Sequence, residues 1–341
     1  MAHPTKVLII RFSSIGDIVL TTPVVRMVKT QLDGEVELHY LTKSRFQSVL
    51  AHNPYIDHLH TMEKDITEVM PRLKEEAFDY VIDLHKNIRT ALIKKQLPAL
   101  SFTIDKLNFK KWMLVNWGVN KLPKKHIVDR YLDTVKAFGI ENDLEGLDYF
   151  LDKQKDHVDF GGWEVDVKEG FVAFAIGAAH IGKKMPAEKI SEILAKLEMP
   201  VVLLGGKEDE EMGNQIVESV KRSDVINACG KYSINQSAFI VSRSEVLVAG
   251  DTGLMHIGAA FKRKIVSIWG CTVPEFGMYP YLPDPQSILL EPKHLTKRPC
   301  SKLGNRCKYG VDTRCITQIP NTEIIGAVKK LFTARKVPSA Q

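Results

Sequence analysis

The chain has 341 residues, 44% of them hydrophobic and 26% charged, and 47 Lys+Arg against 41 Asp+Glu give a net charge of +6. This composition excludes a disordered or collagen-like chain, and the length suggests two domains, each able to bury its own core. No apolar run approaches the roughly 20 residues that span a bilayer, and the stretch after MAHPTK is too short for a signal peptide, so the chain reads as cytoplasmic. Five Cys fit a reducing compartment better than a disulfide framework.

Taken in order, residues 6–12 (KVLIIRF) read as a buried strand, followed by a Ser-Ser-Ile-Gly-Asp turn. Thr22-Pro23 then opens a helix carried on by Val24, Val25, Val28 and Leu32. Strands are predicted at 36–41, 80–84 and 101–104 with helical stretches between them, the pattern of a parallel sheet covered on both faces. The pattern loosens from 107 to 151 apart from one helix at 128–138, and the charged stretch 152–169 marks the boundary. A second, more regular series follows. Its strands are at 171–176, 201–204, 225–228, 245–249 and 265–269, and its helices at 186–197, 208–222, 235–243 and 252–261. A tail helix is predicted at 321–332. The expected fold class is α/β with two doubly wound halves. The domains are placed at 1–160, 161–320 and a helical tail at 321–341, with ligands at the carboxyl ends of the strands.

The first strand-to-helix turn holds Ser13, Ser14, Gly16 and Asp17 and lacks the GxGxxG fingerprint, which argues against a nicotinamide or flavin cofactor. Asp17 is either a helix cap or a working carboxylate at the top of the sheet. In the second half, Gly177, Ala178, Ala179, Gly182, Lys183 and Lys184 nearly match a P-loop. The Mg²⁺-binding hydroxyl is replaced by Lys184, however, and Pro186 moves the helix start beyond the lysines. What remains suits a phosphate bound without metal, or else an exposed basic loop.

The run Gly250-Asp251-Thr252-Gly253-Leu254-Met255-His256 is the sharpest feature. A buried strand leads straight into a small-residue helix. The amides of Thr252, Gly253 and Leu254 would meet a pyrophosphate there, and Asp251 could receive sugar hydroxyls. His256 is either a ligand contact or a satisfied structural histidine. Together these describe a nucleoside-diphosphate site, and Asp17 a general base, which is what sugar transfer requires. No Asp-x-Asp occurs in the sequence, so leaving-group charge falls to Lys183, Lys184 and the helix end, with no metal and no cofactor. Cys300, Cys307 and Cys315, spaced C-x₆-C-x₇-C with His294 nearby, lack the close pairs of a zinc site and read as structural or incidental.

These residues resemble glycosyltransferase family 9, the bacterial heptosyltransferases. KVLIIRFSSIGDIVLTTP is similar to the family's opening signature, and His126-Ile127-Val128-Asp129-Arg130-Tyr131-Leu132 to its mid-chain helix. Gly182-Lys183-Lys184-Met185-Pro186 resembles its phosphate loop, and Gly250 to His256 its best-marked motif. The resemblance implies a GT-B fold of two Rossmann-like domains facing a central cleft, the first binding acceptor and the second nucleotide sugar. It implies inverting, metal-independent transfer of a heptose from an ADP-activated donor to the lipopolysaccharide inner core. It assigns Asp17 as catalytic base, Lys183 and the 252–254 amides to the diphosphate, and Asp251 to the sugar. Ala178 and Ala179 replace the family's donor-loop hydroxyls, and Met185 stands where Trp or Leu is common.

Residues 86–136 hold 12 Lys/Arg against 3 Asp/Glu, and residues 293–336 hold 11 against 2. Phe109, Trp112 and Trp117 are interleaved with the first set. That mixture suits an anionic membrane surface, and with it a peripheral enzyme acting on an anionic lipid A-core acceptor; the alternative is a solvated basic helix with its aromatics in the core. Nothing resembles a nucleic-acid-reading motif. The competing functional readings are a transferase using another nucleotide sugar and a non-catalytic nucleotide-binding scaffold.

Overall fold

A computed structural model describes residues 3–163, 167, 169–309 and 314–332. Parts of the expected boundary (164–166 and 168) and of the basic tail (310–313 and 333–341) lie outside the described residues. The chain forms two compact units. One contains residues up to Leu107 together with Lys125–Leu151, and the other contains Asn108–Lys124 and the residues from Asp152 onward. The segment 108–124, expected within the first domain, therefore clusters with the second unit, and so does the tail helix.

In the first unit, strands β1 (Thr5–Ile10), β2 (Val36–Lys43), β3 (His58–Met62), β4 (Tyr80–Asp83) and β5 (Leu100–Thr103) form one sheet in the order β3-β2-β1-β4-β5. Every pairing is parallel. β1 lies at the centre, and Val7, Leu8, Ile9 and Ile10 are buried on both faces, so it reads as an unbroken apolar run. Helices α1 (Ile15–Val19), α2 (Thr22–Gln31), α3 (Met70–Glu75), α4 (Ile88–Gln96) and α6 (Ile127–Leu132) belong to this unit, while α5 (Asn108–Trp117) belongs to the other. The helix expected over 128–138 breaks after Leu132 and resumes as a 3₁₀ turn at Lys136–Phe138, which ends on Gly139 at φ 75°.

The second unit holds β6 (Val172–Ala175), β7 (Val201–Leu204), β8 (Val225–Asn227), β9 (Val246–Gly250), β10 (Lys264–Ile268) and β11 (Ile288–Leu290), all parallel, in the order β11-β10-β9-β6-β7-β8. Its helices are α7 (Ala187–Leu194), α8 (Glu210–Val220), α9 (Ile234–Arg243), α10 (Gly253–Ala260), α11 (Arg314–Thr317) and α12 (Asn321–Leu331). The core runs from β6, β7 and β9 through Ile190 and Ile193 of α7 to Ile324 and Val328 of α12. Lys189 of α7 is buried and donates to the Ile319 carbonyl at 2.6 Å, which fastens the start of α12 to the unit.

Both sheets reverse strand order once, between β1 and β4 in the first unit and between β6 and β9 in the second. Right-handed crossovers leave such strands in opposite directions, so a crevice opens at their carboxyl ends.

Arg26 on α2 secures the 141–148 segment of the first unit. It is buried, meets Asp143 through Nε at 2.8 Å, pairs with Asp148 and donates to the Gly146 carbonyl at 2.9 Å. Removing it strands two carboxylates in a partly dry site, a loss of about 3–5 kcal/mol. Arg26→Met should therefore lower the urea midpoint with little change in slope, and an unchanged midpoint would show that the clamp is energetically idle.

Candidate functional site

Each sequence-predicted site residue lies at or just after one of the two switch points. In the first unit, Arg11 follows β1. Its Nη1 donates to the Leu84 carbonyl beyond β4 at 2.6 Å, bridging the two strands where the order reverses. Its Nη2 meets Asp17 Oδ1 at 2.5 Å. The other carboxylate oxygen accepts from the Ser14 amide at 3.1 Å and the Ser14 hydroxyl at 2.8 Å. Asp17 thus caps α1, and the same contacts hold its carboxylate in one orientation at the mouth of the sheet. Ser13 contributes its carbonyl, which accepts from Arg11 Nε at 2.8 Å. The Ser13–Ser14 peptide is cis. Gly16 is buried in the first turn of α1.

Arg11 is the residue that the motif reading missed. An arginine ending an apolar strand is itself a signal, because a buried guanidinium must be paired. Burial works against its charge, and the negative charge and hydrogen bond of Asp17, with the nearby Tyr131 and Tyr40 hydroxyl groups, outweigh that, leaving the guanidinium more firmly protonated than usual. It lies over the Tyr131 ring, 5.9 Å from the centroid. Burial pushes the Tyr131 hydroxyl up to about 12.

His85, just past β4, packs on Phe12 at 4.8 Å between ring centroids, and its buried Nδ1 has no hydrogen-bond partner among the described residues. The turn under it is built by Asp83, whose Oδ1 accepts from the His85 and Lys86 amides at 3.0 and 2.7 Å.

In the second unit, the loop after β6 and the start of α10 after β9 meet at the switch point. Lys183 Nζ reaches Asp251 Oδ2 at 2.6 Å and the Asp251 carbonyl at 3.1 Å, and Thr272 donates to the same carboxylate at 3.1 Å. Thr252 is the N-cap residue of α10, yet its side chain makes no cap bond, and Oγ1 is buried without a partner among the described residues. Gly253 and Leu254 follow as the first helical residues, whose amides have no acceptor within the helix. One small cavity is lined by Ala175, Gly177, Lys183, Ala249 and Gly250, joining the two loops.

The P-loop likeness ends as the proline implied. Ile181–Lys183 is a 3₁₀ turn, Pro186 is the N-cap, and α7 begins at Ala187. Gly182 is required by packing, since a Cβ there would fall 2.5 Å from Cys271 Sγ and 2.7 Å from the Gly304 carbonyl oxygen. Ala178 and Ala179 are partly or fully exposed in the same loop.

The structure does not bring Lys184 to Lys183's partner. Lys184 Nζ pairs at 2.6 Å with the buried Asp209, whose other oxygen accepts from the Gly206 amide at 3.0 Å. His256 is buried on the inner side of α10 at 2% exposure. Cys300 and Cys315 lie with Sγ atoms 4.0 Å apart, joined by Cys271 and flanked by Cys307, and none is in a disulfide. Cys271 could not be linked to the others by spacing.

With this geometry in hand, comparison with known proteins decides the family. The model for glycosyltransferase family 9 (heptosyltransferase) matches residues 66–308. The chain belongs to that family. It is therefore a glycosyltransferase. It is 21% identical to lipopolysaccharide heptosyltransferase 1 of Campylobacter coli, over 96% of this chain and 99% of the relative. Its fold is similar to that of a family 9 glycosyltransferase from Veillonella parvula, with a TM-score of 0.74, 23% identity and 97% and 98% of the two chains covered. It is also similar to the E. coli ADP-heptose lps heptosyltransferase II, with a TM-score of 0.71, 18% identity and 96% and 98% covered. The two parallel sheets and these neighbours make the architecture GT-B.

His85 makes the stability of the fold depend on pH. Burial, then the nearby Arg11 and Lys106 cations, lowers its pKa from 6.5 to about 3. The unfolded chain takes up this proton at higher pH than the fold does, so the stabilisation is complete above about pH 6.5 and is lost as pH falls toward 3. The drop in Tm between pH 7 and about pH 4 should be smaller in His85→Asn than in the wild type. Equal drops would show that His85 does not titrate this way.

Proposed function

We propose that the chain transfers a heptose from an ADP-activated donor to the inner core of lipopolysaccharide, with inversion and without a metal. The carrying observation is the second switch point, where Lys183 is held beside the N-terminus of α10 on Asp251, and Thr252 Oγ1 is buried without a partner among the described residues. A diphosphate offers Lys183 a second anion, offers Thr252 an acceptor, and meets the first-turn amides of Gly253 and Leu254. Asp251 then has a carboxylate oxygen for a sugar hydroxyl. The names carried by the relatives, lipopolysaccharide heptosyltransferase 1 and ADP-heptose lps heptosyltransferase II, support a heptose and an ADP leaving group.

Inversion needs a single displacement. The acceptor hydroxyl attacks the anomeric carbon from the face opposite the departing diphosphate and loses its proton to Asp17 as the bond forms. The Arg11 and Ser14 contacts hold that carboxylate in position, so little reorganisation accompanies the transfer. Lys183 and the helix end neutralise the charge that grows on the leaving ADP. Lys184 has a supporting part in this reading: through Asp209 it braces the loop rather than the phosphate.

The acceptor reading is that of an anionic lipid reached at the cytoplasmic face of the inner membrane. No described helix is long and apolar enough to cross a membrane. α5 exposes Phe109, Trp112 and Trp117 at 67%, 46% and 62%, contrary to the alternative that buries them. Its other side is seated in the second unit through Leu114 and Val115 on Val273 and Phe276. Exposed aromatic side chains on a helix set within a basic segment suit an anionic bilayer.

Asp17→Asn should cut transfer to an acceptor core by about 10²–10⁴-fold while ADP affinity measured by calorimetry stays within about twofold. Lys183→Ala should weaken ADP about 10- to 100-fold, the range for a hydrogen bond to a charged group. Full turnover in the first variant, or unchanged ADP affinity in the second, would remove the assigned role. Separately, the Trp112→Ala/Trp117→Ala double variant should lose most co-sedimentation with vesicles containing phosphatidylglycerol, and the wild type should lose it at high salt. Equal binding by both proteins would sink the membrane face.

A further inference from the structure

A cluster of imidazoles and carboxylates lies at the edge of the first sheet, away from Asp17. The parallel register sets Lys6 beside Glu37, His39 beside His58 and Leu41 beside His60. Alternation along the strands then places Glu37 and His39 on one face of β2, and His58 and His60 on one face of β3. The His39 ring is completely buried, stacked on His60 at 5.1 Å and 10°, with Phe78 edge-on at 4.9 Å. These contacts leave it one orientation.

From that fixed ring, three ligand atoms converge. His39 Nε2 lies 3.0 Å from Glu37 Oε1, and His58 Nε2 lies 3.1 Å from the same oxygen. All three atoms lie within 4.8 Å of one another. Donors held at roughly 2.0–2.1 Å from a tetrahedral ion are about 3.3–3.4 Å apart, so each of the two histidine nitrogens needs only a few tenths of an ångström of movement from the carboxylate oxygen to share an ion with it.

The remaining groups fit an outer shell. His39 Nδ1 is 2.8 Å from His60 Nε2, so this other nitrogen has the orienting hydrogen bond that a ligating histidine requires. Lys6 sits on Glu76 at 2.8 Å and is farther from Glu37, at 3.5 Å, so it can stay with Glu76 when Glu37 turns to an ion. His58 is half-exposed, which provides an entry path and leaves room for water in the fourth position.

We propose that Glu37, His39 and His58 form a site for one divalent transition ion of the zinc class, oriented by His60. Two imidazoles, one carboxylate and water make an N/O donor set typical of zinc or cobalt rather than calcium or magnesium. Glu37 and His58 lie near the amino ends of β2 and β3, whereas Asp17 follows the carboxyl end of β1. The ion therefore ties β2 to the edge strand β3 and takes no part in sugar transfer, and the site is independent of the transferase reading.

The test is a titration of the full, EDTA-stripped chain with Co²⁺ near pH 7.5, followed by absorption, with Zn²⁺ calorimetry and thermal unfolding alongside. One equivalent should bind with weak d–d bands and no thiolate-to-metal charge transfer, and Zn²⁺ should raise the Tm. His58→Ala and Glu37→Gln should each weaken binding at least tenfold and abolish the Tm rise, while leaving glycosyl transfer unchanged. His60→Gln should weaken binding by roughly tenfold, as outer-shell losses do. Absence of Co²⁺ binding, equal binding in the His58→Ala and Glu37→Gln variants, or a thiolate charge-transfer band that places the ion on the cysteines would each overturn the proposal. Normal binding with no transferase activity would leave it intact and count only against the proposed function.

Discussion

Both candidate loops depend on one constraint: a parallel sheet that reverses its strand order must leave a gap at the carboxyl ends of the two strands beside the reversal. The gap is at β1 and β4 in one unit and at β6 and β9 in the other. The same device appears at both. A cation on the first loop holds a carboxylate at the mouth of the crevice, Arg11 on Asp17 and Lys183 on Asp251. The two pairs differ in burial. Arg11 is buried and anchored to the Leu84 carbonyl, so the carboxylate is the more exposed member. Lys183 and Asp251 both keep some exposure, and an incoming anion can divide them.

The contrast between Lys183 and Lys184 shows how little of such a site depends on residue type alone. The two lysines are adjacent and chemically identical. One points across the crevice to the β9 loop, and the other turns back to a carboxylate at 2% exposure. The difference comes from the 3₁₀ turn at Ile181–Lys183, which Gly182 permits by packing against Cys271 and Gly304.

The central strands were legible in the sequence because a strand covered on both faces must be apolar at every position, as residues 7–10, 201–204 and 246–249 are. Pro186 likewise marked the start of α7 correctly, since the ring removes a donor and sets the backbone before a helix. Of the edge strands, β5 and β8 were legible, but β3 and β11 were not. β3 reads His-Leu-His-Thr-Met, too polar for a strand signal, because one side of an edge strand need not be covered, and β11 has only three residues. Arg11 and Cys271 escaped notice for another reason: their partners are 6 or more positions away and are brought close only by tertiary folding. No local pattern places 108–124 with the second unit either, because the contacts that decide it, Leu114 and Val115 with Val273 and Phe276, span more than 150 residues.

That last placement has a consequence for how the chain can be divided. The backbone passes between the units three times, after Leu107, Lys124 and Leu151. A single cut at 151 would leave the second unit without α5, with Val273 and Phe276 uncovered, and the first unit carrying an amphipathic helix with nothing to sit on. Neither half is a self-contained module of contiguous sequence. Exchange of second units between relatives built this way would have to move two separate stretches together, and a proteolytic nick near residue 120 would sever a connection without releasing a domain.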